Sequence, residues 1–292
     1  IPNIGLNLKL IVDHIADIRV IATGSSSFDL ASQVGEPLTG RKWTLRLFPL
    51  AQIELAHKEN TAETAARLEN RLIYGSYPEV VLGEDDQIRQ RYLKEIISSY
   101  LYKDILEMEG LRHSDKLVRL LQLLAFQIGQ QVSFTELGGQ LGLSKNTVDR
   151  YLDLLEKAFV VYKLRGFSRN LRKEVSKNPR YYFYDTGIRN ALIQNFNPLN
   201  LRDDTGQIWE NYLVMERIKK QEYSAMSCAN YFWRTYDRKE VDWIEEREGR
   251  LFAYEFKWNP SAKAALPNDF IRAYPQTNFE RVDSQNYLKF IT

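Results

Sequence analysis

The sequence predicts a multidomain chain of mixed class, α/β in one part and α+β in another, on three observations. Short apolar runs at 18–22 and 43–48 alternate with helical patterns, as in part of an α/β core. The middle carries long amphipathic periods, then the spacing of a helix-turn-helix. Towards the end, two strand-like runs bearing Asp242 and Glu255 follow an amphipathic helix. With 292 residues, 44% of them apolar and 27% charged, the chain has material for two or three domains.

From the N-terminal end, 8–15 has helical spacing and 18–22, Ile-Arg-Val-Ile-Ala, reads as a buried parallel strand. Thr23-Gly24-Ser25-Ser26-Ser27 follows it, and polar groups at the carboxyl end of such a strand sit where α/β sheets bind ligands. Gly40-Arg41 leads into a second strand-like run at 43–48, and Pro49-Leu50 fits the start of a helix. Residues 61–73, 84–106 and 117–128 read as long amphipathic helices, interrupted at Gly75 and Pro78.

Ser133-Phe134-Thr135-Glu136 has the capping-box pattern that opens a short helix, Gly142 lies in the break, and Ser144 can cap a second helix over 145–157. Val148, Leu152 and Leu155 then face the core, leaving Lys145, Asn146, Asp149 and Arg150 towards solvent. A strand at 159–164 and a basic connection over 165–180 complete a winged helix. Between residues 111 and 180, thirteen Lys or Arg stand against six Asp or Glu, a net +7 in a chain whose overall charge is +2. That is the electrostatic footprint of a polyanion-binding module, and Lys145, Asn146 and Arg150 are the candidate DNA contacts. Asp149 on the same face would meet phosphate unfavourably, so a purely packing role for the winged helix stays open.

The C-terminal pattern carries the clearest chemistry. Asp242, in Glu240-Val241-Asp242-Trp243, precedes Glu255-Phe256-Lys257 inside the apolar run 251–258. Alternation puts Glu255 and Lys257 on one face of a strand and Tyr254, Phe256 and Trp258 on the other. Two carboxylates and an ammonium then converge, and burying them is costly unless they pair or hold a metal. A Mg²⁺ or Mn²⁺ site with Asp242 and Glu255 as ligands and Lys257 as charge stabiliser is one outcome. A structural Glu-Lys pair at a sheet edge is the other.

The spacing of Asp242 and Glu255-x-Lys257 resembles the PD-(D/E)xK nuclease-like core, whose further acid usually comes from the preceding helix. The resemblance implies Glu210, in Trp209-Glu210-Asn211, for that role, and thus Glu210, Asp242, Glu255 and Lys257 as a catalytic set. A fold of this kind can also be kept for binding alone.

In series, IRVIATGSSSFDL at 18–30, Leu38-Thr39-Gly40-Arg41, Leu47-Phe48-Pro49-Leu50, Tyr74-Gly75-Ser76-Tyr77-Pro78, the winged helix, YYFYDTG at 181–187, Trp209-Glu210-Asn211 and the stretch from Trp233-Arg234 to Lys257 resemble archaeal and bacterial AAA-superfamily ATPases. Those proteins carry a C-terminal nuclease-like domain of unknown function. The resemblance implies that the strand ending in Gly24-Ser25-Ser26 is the sensor-1 strand beside the γ-phosphate, and that Arg41 is an ATP-site or inter-subunit arginine. It also implies an upstream Walker A loop and Walker B Asp-Glu. No GxxxxGK[ST] occurs in this chain, and position 1 is Ile, so a fragment of a longer protein is expected, one that does not hydrolyse ATP alone.

The resulting division is a partial AAA-type core over 1–58, a helical lid over 59–110, the winged helix over 111–180 and a restriction-endonuclease-like α/β domain over 181–292. ATP and Mg²⁺ are the implied cofactors of the intact protein, with DNA and a homo-oligomer as partners. No run of eighteen apolar residues and no basic-then-apolar leader occurs, which gives a cytoplasmic, non-membrane expectation. One cysteine, Cys228, allows no internal disulfide, and His14, His57 and His113 lack zinc-ligand spacing. Three functions remain: an ATPase with a DNA-associated nuclease-like module, a Mg²⁺-dependent nuclease, or a regulatory module that binds DNA or protein without catalysis.

Overall fold

A computed structural model of the chain describes residues 4–15, 17–24, 43–99, 114–168 and 178–292. The described part is of mixed α/β class, with twelve helices around one six-stranded mixed sheet.

Helix α1 spans Ile4–His14. Residues 18–22 and 43–48, for which the sequence predicts strands, form none, and Ile21, Trp43, Leu45 and Leu47 are 91, 95, 90 and 95% exposed. A strand is completed by hydrogen bonds from a neighbour, and no described segment pairs with either run. The expected helix start at Pro49-Leu50 moves to α2, Gln52–Leu55.

Helix α3, Thr61–Tyr74, opens on a full capping box between Asn60 and Glu63. Two short helices follow, α4 (Pro78–Leu82) and α5 (Asp86–Ile96). A buried polar lattice ties this region together. Arg71 pairs with Glu59 and donates to Gln52 Oε1 at 2.6 Å, while Gln52 N donates to Glu216 Oε2 at 2.5 Å.

Helix α6, Ser114–Phe126, leads into α7, Phe134–Leu141, and α8, Lys145–Lys157. Ser133 and Ser144 accept from Glu136 N and Thr147 N, so each caps the helix that follows it. Gly142 holds the turn at φ 60°, where a β-carbon is disfavoured. Val148, Leu152 and Leu155 on α8 are fully buried, as the helical period requires.

Strand β1, Val161–Gly166, pairs antiparallel with β2, Arg180–Phe183. β1 also pairs in parallel with β3, Ala229–Arg234, through Arg165–Tyr231 and Gly166–Phe232. The order is β2-β1-β3-β4-β5-β6, with β4 Glu240–Arg247, β5 Arg250–Phe256 and β6 Asn278–Val282. The boundary expected at 180 therefore falls inside a continuous sheet, and one apolar core runs from Leu68 and Leu93 through Leu117 and Leu152 to Trp209 and Trp243.

Between β2 and β3 lie α9, Thr186–Leu192, and α10, Thr205–Tyr223. Two short motifs far apart in sequence lock here. Asp185 caps α9 by accepting from Gly187 N at 2.8 Å and Ile188 N at 3.2 Å, and its other oxygen accepts from Ser76 N at 2.7 Å. Gly75, at φ 79°, lies so close that a β-carbon there would strike the Asp185 carboxylate. Helix α11, Asn268–Ala273, crosses from β5 to the parallel β6, and α12, Tyr287–Ile291, packs on α10. No helix among the described residues is long and apolar enough to cross a membrane.

Candidate functional site

The site is assembled from α10 and three strands. On α10, Asn211 closes both hydrogen bonds of its amide on the backbone of β2: Phe183 N donates to its Oδ1 at 2.7 Å, and its Nδ2 donates to Phe183 O at 2.9 Å. Trp209 is fully buried, edge-on to Trp258 at 5.3 Å. With both neighbours anchored, Glu210 has one place to go. It faces Tyr182 and Arg180 of β2, and its Oε1 accepts from Tyr182 OH at 2.7 Å and from Arg180 Nη1 at 3.2 Å.

Strands β4 and β5 supply the remaining acids. The antiparallel pair Trp243–Tyr254 puts Asp242 and Glu255 side by side one step further on. Asp242 Oδ2 accepts from Phe256 N at 3.0 Å, and its Oδ1 lies 3.9 Å from Arg180 Nη1. Glu255 Oε1 accepts from Lys257 Nζ at 2.7 Å. Glu240, two residues before Asp242 on β4, accepts from Arg180 Nη2 at 2.7 Å. Glu210, Asp242, Glu255 and Lys257 thus lie within one cluster, with Arg180 and Glu240 among them.

Arg180, Tyr182 and Glu240 were not among the predicted site residues. Glu240 had a signal, since it shares a strand face with Asp242 at the i, i+2 spacing. Arg180 carried none, being only the last cation of a basic stretch.

Charge repulsion and burial set the protonation of this cluster. Burial, followed by the adjacent Asp242 charge, pushes Glu210 up to about 8 and Glu255 up to about 7. Asp242 is also raised by burial, against the opposing pull of Arg180, the Phe256 N–H and Lys257. Burial alone would lower Arg180, but Tyr182, Glu210, Asp242 and Glu240 around it raise it further, so it is charged at any working pH.

A divalent cation does not fit this arrangement. Hard cations need several carboxylate oxygens turned to one point. Here the Oε1 atoms of Glu210 and Glu255 and the Oδ2 of Asp242 are already engaged by protein donors, and the Arg180 guanidinium lies among the acids. Among the described residues no group of three or more His, Cys, Asp or Glu is placed to hold a metal ion.

The other predicted residues lie elsewhere. Lys145, Asn146 and Arg150 are exposed on the first two turns of α8, with Asp149 exposed beside them. Ser25, Ser26 and Arg41 fall outside the described residues, as do Arg169, Arg172, Lys173 and Lys177 of the basic connection.

Comparison with known proteins adds three matches in series. Residues 1–56 match the family model of an AAA domain, 65–199 a Domain of unknown function (DUF8612), and 205–288 a Domain of unknown function (DUF4143). An uncharacterized protein of Haemophilus influenzae is 28% identical over 184 residues, covering 60% of this chain and 46% of its own length. An uncharacterized protein of Mycobacterium tuberculosis is 27% identical over 262 residues, covering 88% and 56% respectively. One from Methanocaldococcus jannaschii is 24% identical over 256 residues, covering 81% and 55%. The chain spans about half the length of the curated relatives it matches. No solved structure matches it. An AAA domain at the N-terminal end, followed in order by the DUF4143 match, supports a protein related to the AAA superfamily.

Proposed function

We propose that this chain is the C-terminal portion of an AAA-superfamily ATP-binding protein, an ATPase when intact, whose winged helix and nuclease-like domain form a DNA-associated module. The observation that carries the DNA reading is α8. Its apolar face is sunk in the core, its N-terminus is capped by Ser144, and Lys145, Asn146 and Arg150 project from the opposite, exposed side. Cations at the start of the second helix of a helix-turn-helix meet phosphates and groove edges. Asp149 among them opposes tight binding, so the association is weak and mainly electrostatic.

For the ATP-binding half, the support is the AAA domain match over 1–56, within which Ser25, Ser26 and Arg41 are the residues assigned to the nucleotide side. ATP and Mg²⁺ belong to the intact protein. This chain, without a phosphate-binding loop, turns over no ATP by itself.

A metal-dependent nuclease is the second reading, favoured by the meeting of Glu210, Asp242, Glu255 and Lys257 on one face. Arg180 weighs against it, since it takes the place among the acids that a cation would need.

Fluorescence anisotropy with labelled duplex DNA over a salt series tests the proposal. Affinity should fall with salt by a log–log slope of about 0.9 per phosphate neutralised, and Lys145→Ala with Arg150→Ala should flatten that slope by about 1–2. An unchanged slope and affinity in the double variant would remove α8 from the nucleic acid.

A further inference from the structure

Arg180 lies within the carboxylate cluster formed by α10 and β4. Its side chain is 3% exposed, and its guanidinium lies 4.6 Å from the centre of the Phe232 ring. Nη1 reaches Glu210 and Asp242 at 3.2 and 3.9 Å, and Nη2 reaches Glu240 at 2.7 Å. One planar, permanently charged group therefore bridges three acids from two elements, α10 and β4. Its buried Nε finds no hydrogen-bond partner, so the carboxylates and the Phe232 ring hold the head group in place.

The arginine arrives from outside the acidic elements. It is the first residue of β2, fixed by pairing with Leu164 of β1 and by a bridge to Gln131. Gly129 supports the same corner, since a β-carbon there would press on the Glu210 carboxylate at 3.2 Å. Removing the guanidinium would leave the buried Asp242 and the partly buried Glu210, with the half-exposed Glu240 beside them, without a bridging cation, an arrangement that destabilises unless another cation enters. The oxygens so released are hard ligands, which favour Mg²⁺ or Mn²⁺.

We propose that Arg180 is the resident cation of this site, closing the acidic cluster to divalent ions, and that the cluster becomes a divalent-metal site when Arg180 is removed. This inference does not rest on DNA binding through α8, and either can fail alone.

The test is Mn²⁺ binding to the purified chain, read by the loss of free-ion signal in electron paramagnetic resonance and by thermal melting with and without the metal. The wild type should show no stoichiometric site and no Mn²⁺-dependent shift of its melting temperature. Arg180→Gln should bind one Mn²⁺ with an affinity at least about tenfold above the wild type. Asp242→Asn added to Arg180→Gln should abolish that gain. If Arg180→Gln is unfolded without metal, refolding on addition of Mn²⁺ supports the proposal, and failure to refold counts against it. A stoichiometric Mn²⁺ site in the wild type that Asp242→Asn removes overturns it outright, as does a folded Arg180→Gln with no gain in affinity.

Discussion

Arg217 and Glu245 form a buried two-pronged pair, Nε to Oε1 at 2.5 Å and Nη2 to Oε2 at 2.8 Å, that pins α10 against β4. Trp243 Nε1 and Gln221 Nε2 also donate to Glu245 Oε1, at 2.9 and 2.8 Å. The same helix carries Glu210 and the same strand carries Asp242, so this pair fixes the distance between the two halves of the acidic cluster.

Glu245→Gln should therefore cost about 3–5 kcal/mol in urea unfolding, because it leaves the Arg217 charge buried without its partner. Burial pushes the Glu245 carboxyl up, but Arg217 more than offsets this and holds it below its ordinary value. The pair's contribution is accordingly complete above the ordinary carboxylate range and lost as the pH falls through the folded value. A variant losing less than about 1 kcal/mol would mean that the pair is not the clamp described.

The acidic cluster should give the opposite pH dependence. Glu210 and Glu255 are raised to about 8 and about 7, so the folded chain binds protons that the unfolded chain releases. Their contribution to stability is present below the unfolded carboxylate value and is lost as the pH rises through 7 and 8, by at most about 1.4 kcal/mol per pH unit per group. Urea titrations at pH 5.5 and 8 should find the wild type weaker at the higher pH. Glu210→Gln should reduce that difference, and an unreduced difference would place the titration elsewhere.

The lock between Ser76 and Asp185 makes Gly75 sensitive to any side chain. Gly75→Ala adds a β-carbon at positive φ against the Asp185 carboxylate and should cost about 2–4 kcal/mol. Gly139, where an added β-carbon meets nothing, provides the control. Equal melting temperatures for Gly75→Ala and Gly139→Ala would contradict the lock.

How far the structure could be read in advance depended on the range of the contacts. The helices at 134–141 and 145–157 were legible because their signals are local: Ser133 and Ser144 cap helices that begin at the next residue, and Gly142 turns the chain between them. Asp242, Glu255 and Lys257 were legible through strand alternation, whereas Glu210 needed the resemblance to a known fold. Arg180 escaped because its partners Glu210 and Glu240 lie 30 and 60 residues away, and nothing in its neighbourhood encodes that meeting. The runs at 18–22 and 43–48 failed for a related reason. Apolar β-branched residues favour a strand, but only a neighbour's hydrogen bonds complete one.

The most direct test of the DNA-associated reading is hydrogen–deuterium exchange with and without duplex DNA at low salt. Added protection is expected over the first two turns of α8, residues 145–150, and none over β4 and β5. Protection confined to 240–256 with α8 unchanged would contradict it, and would put the nucleic acid on the acidic face instead.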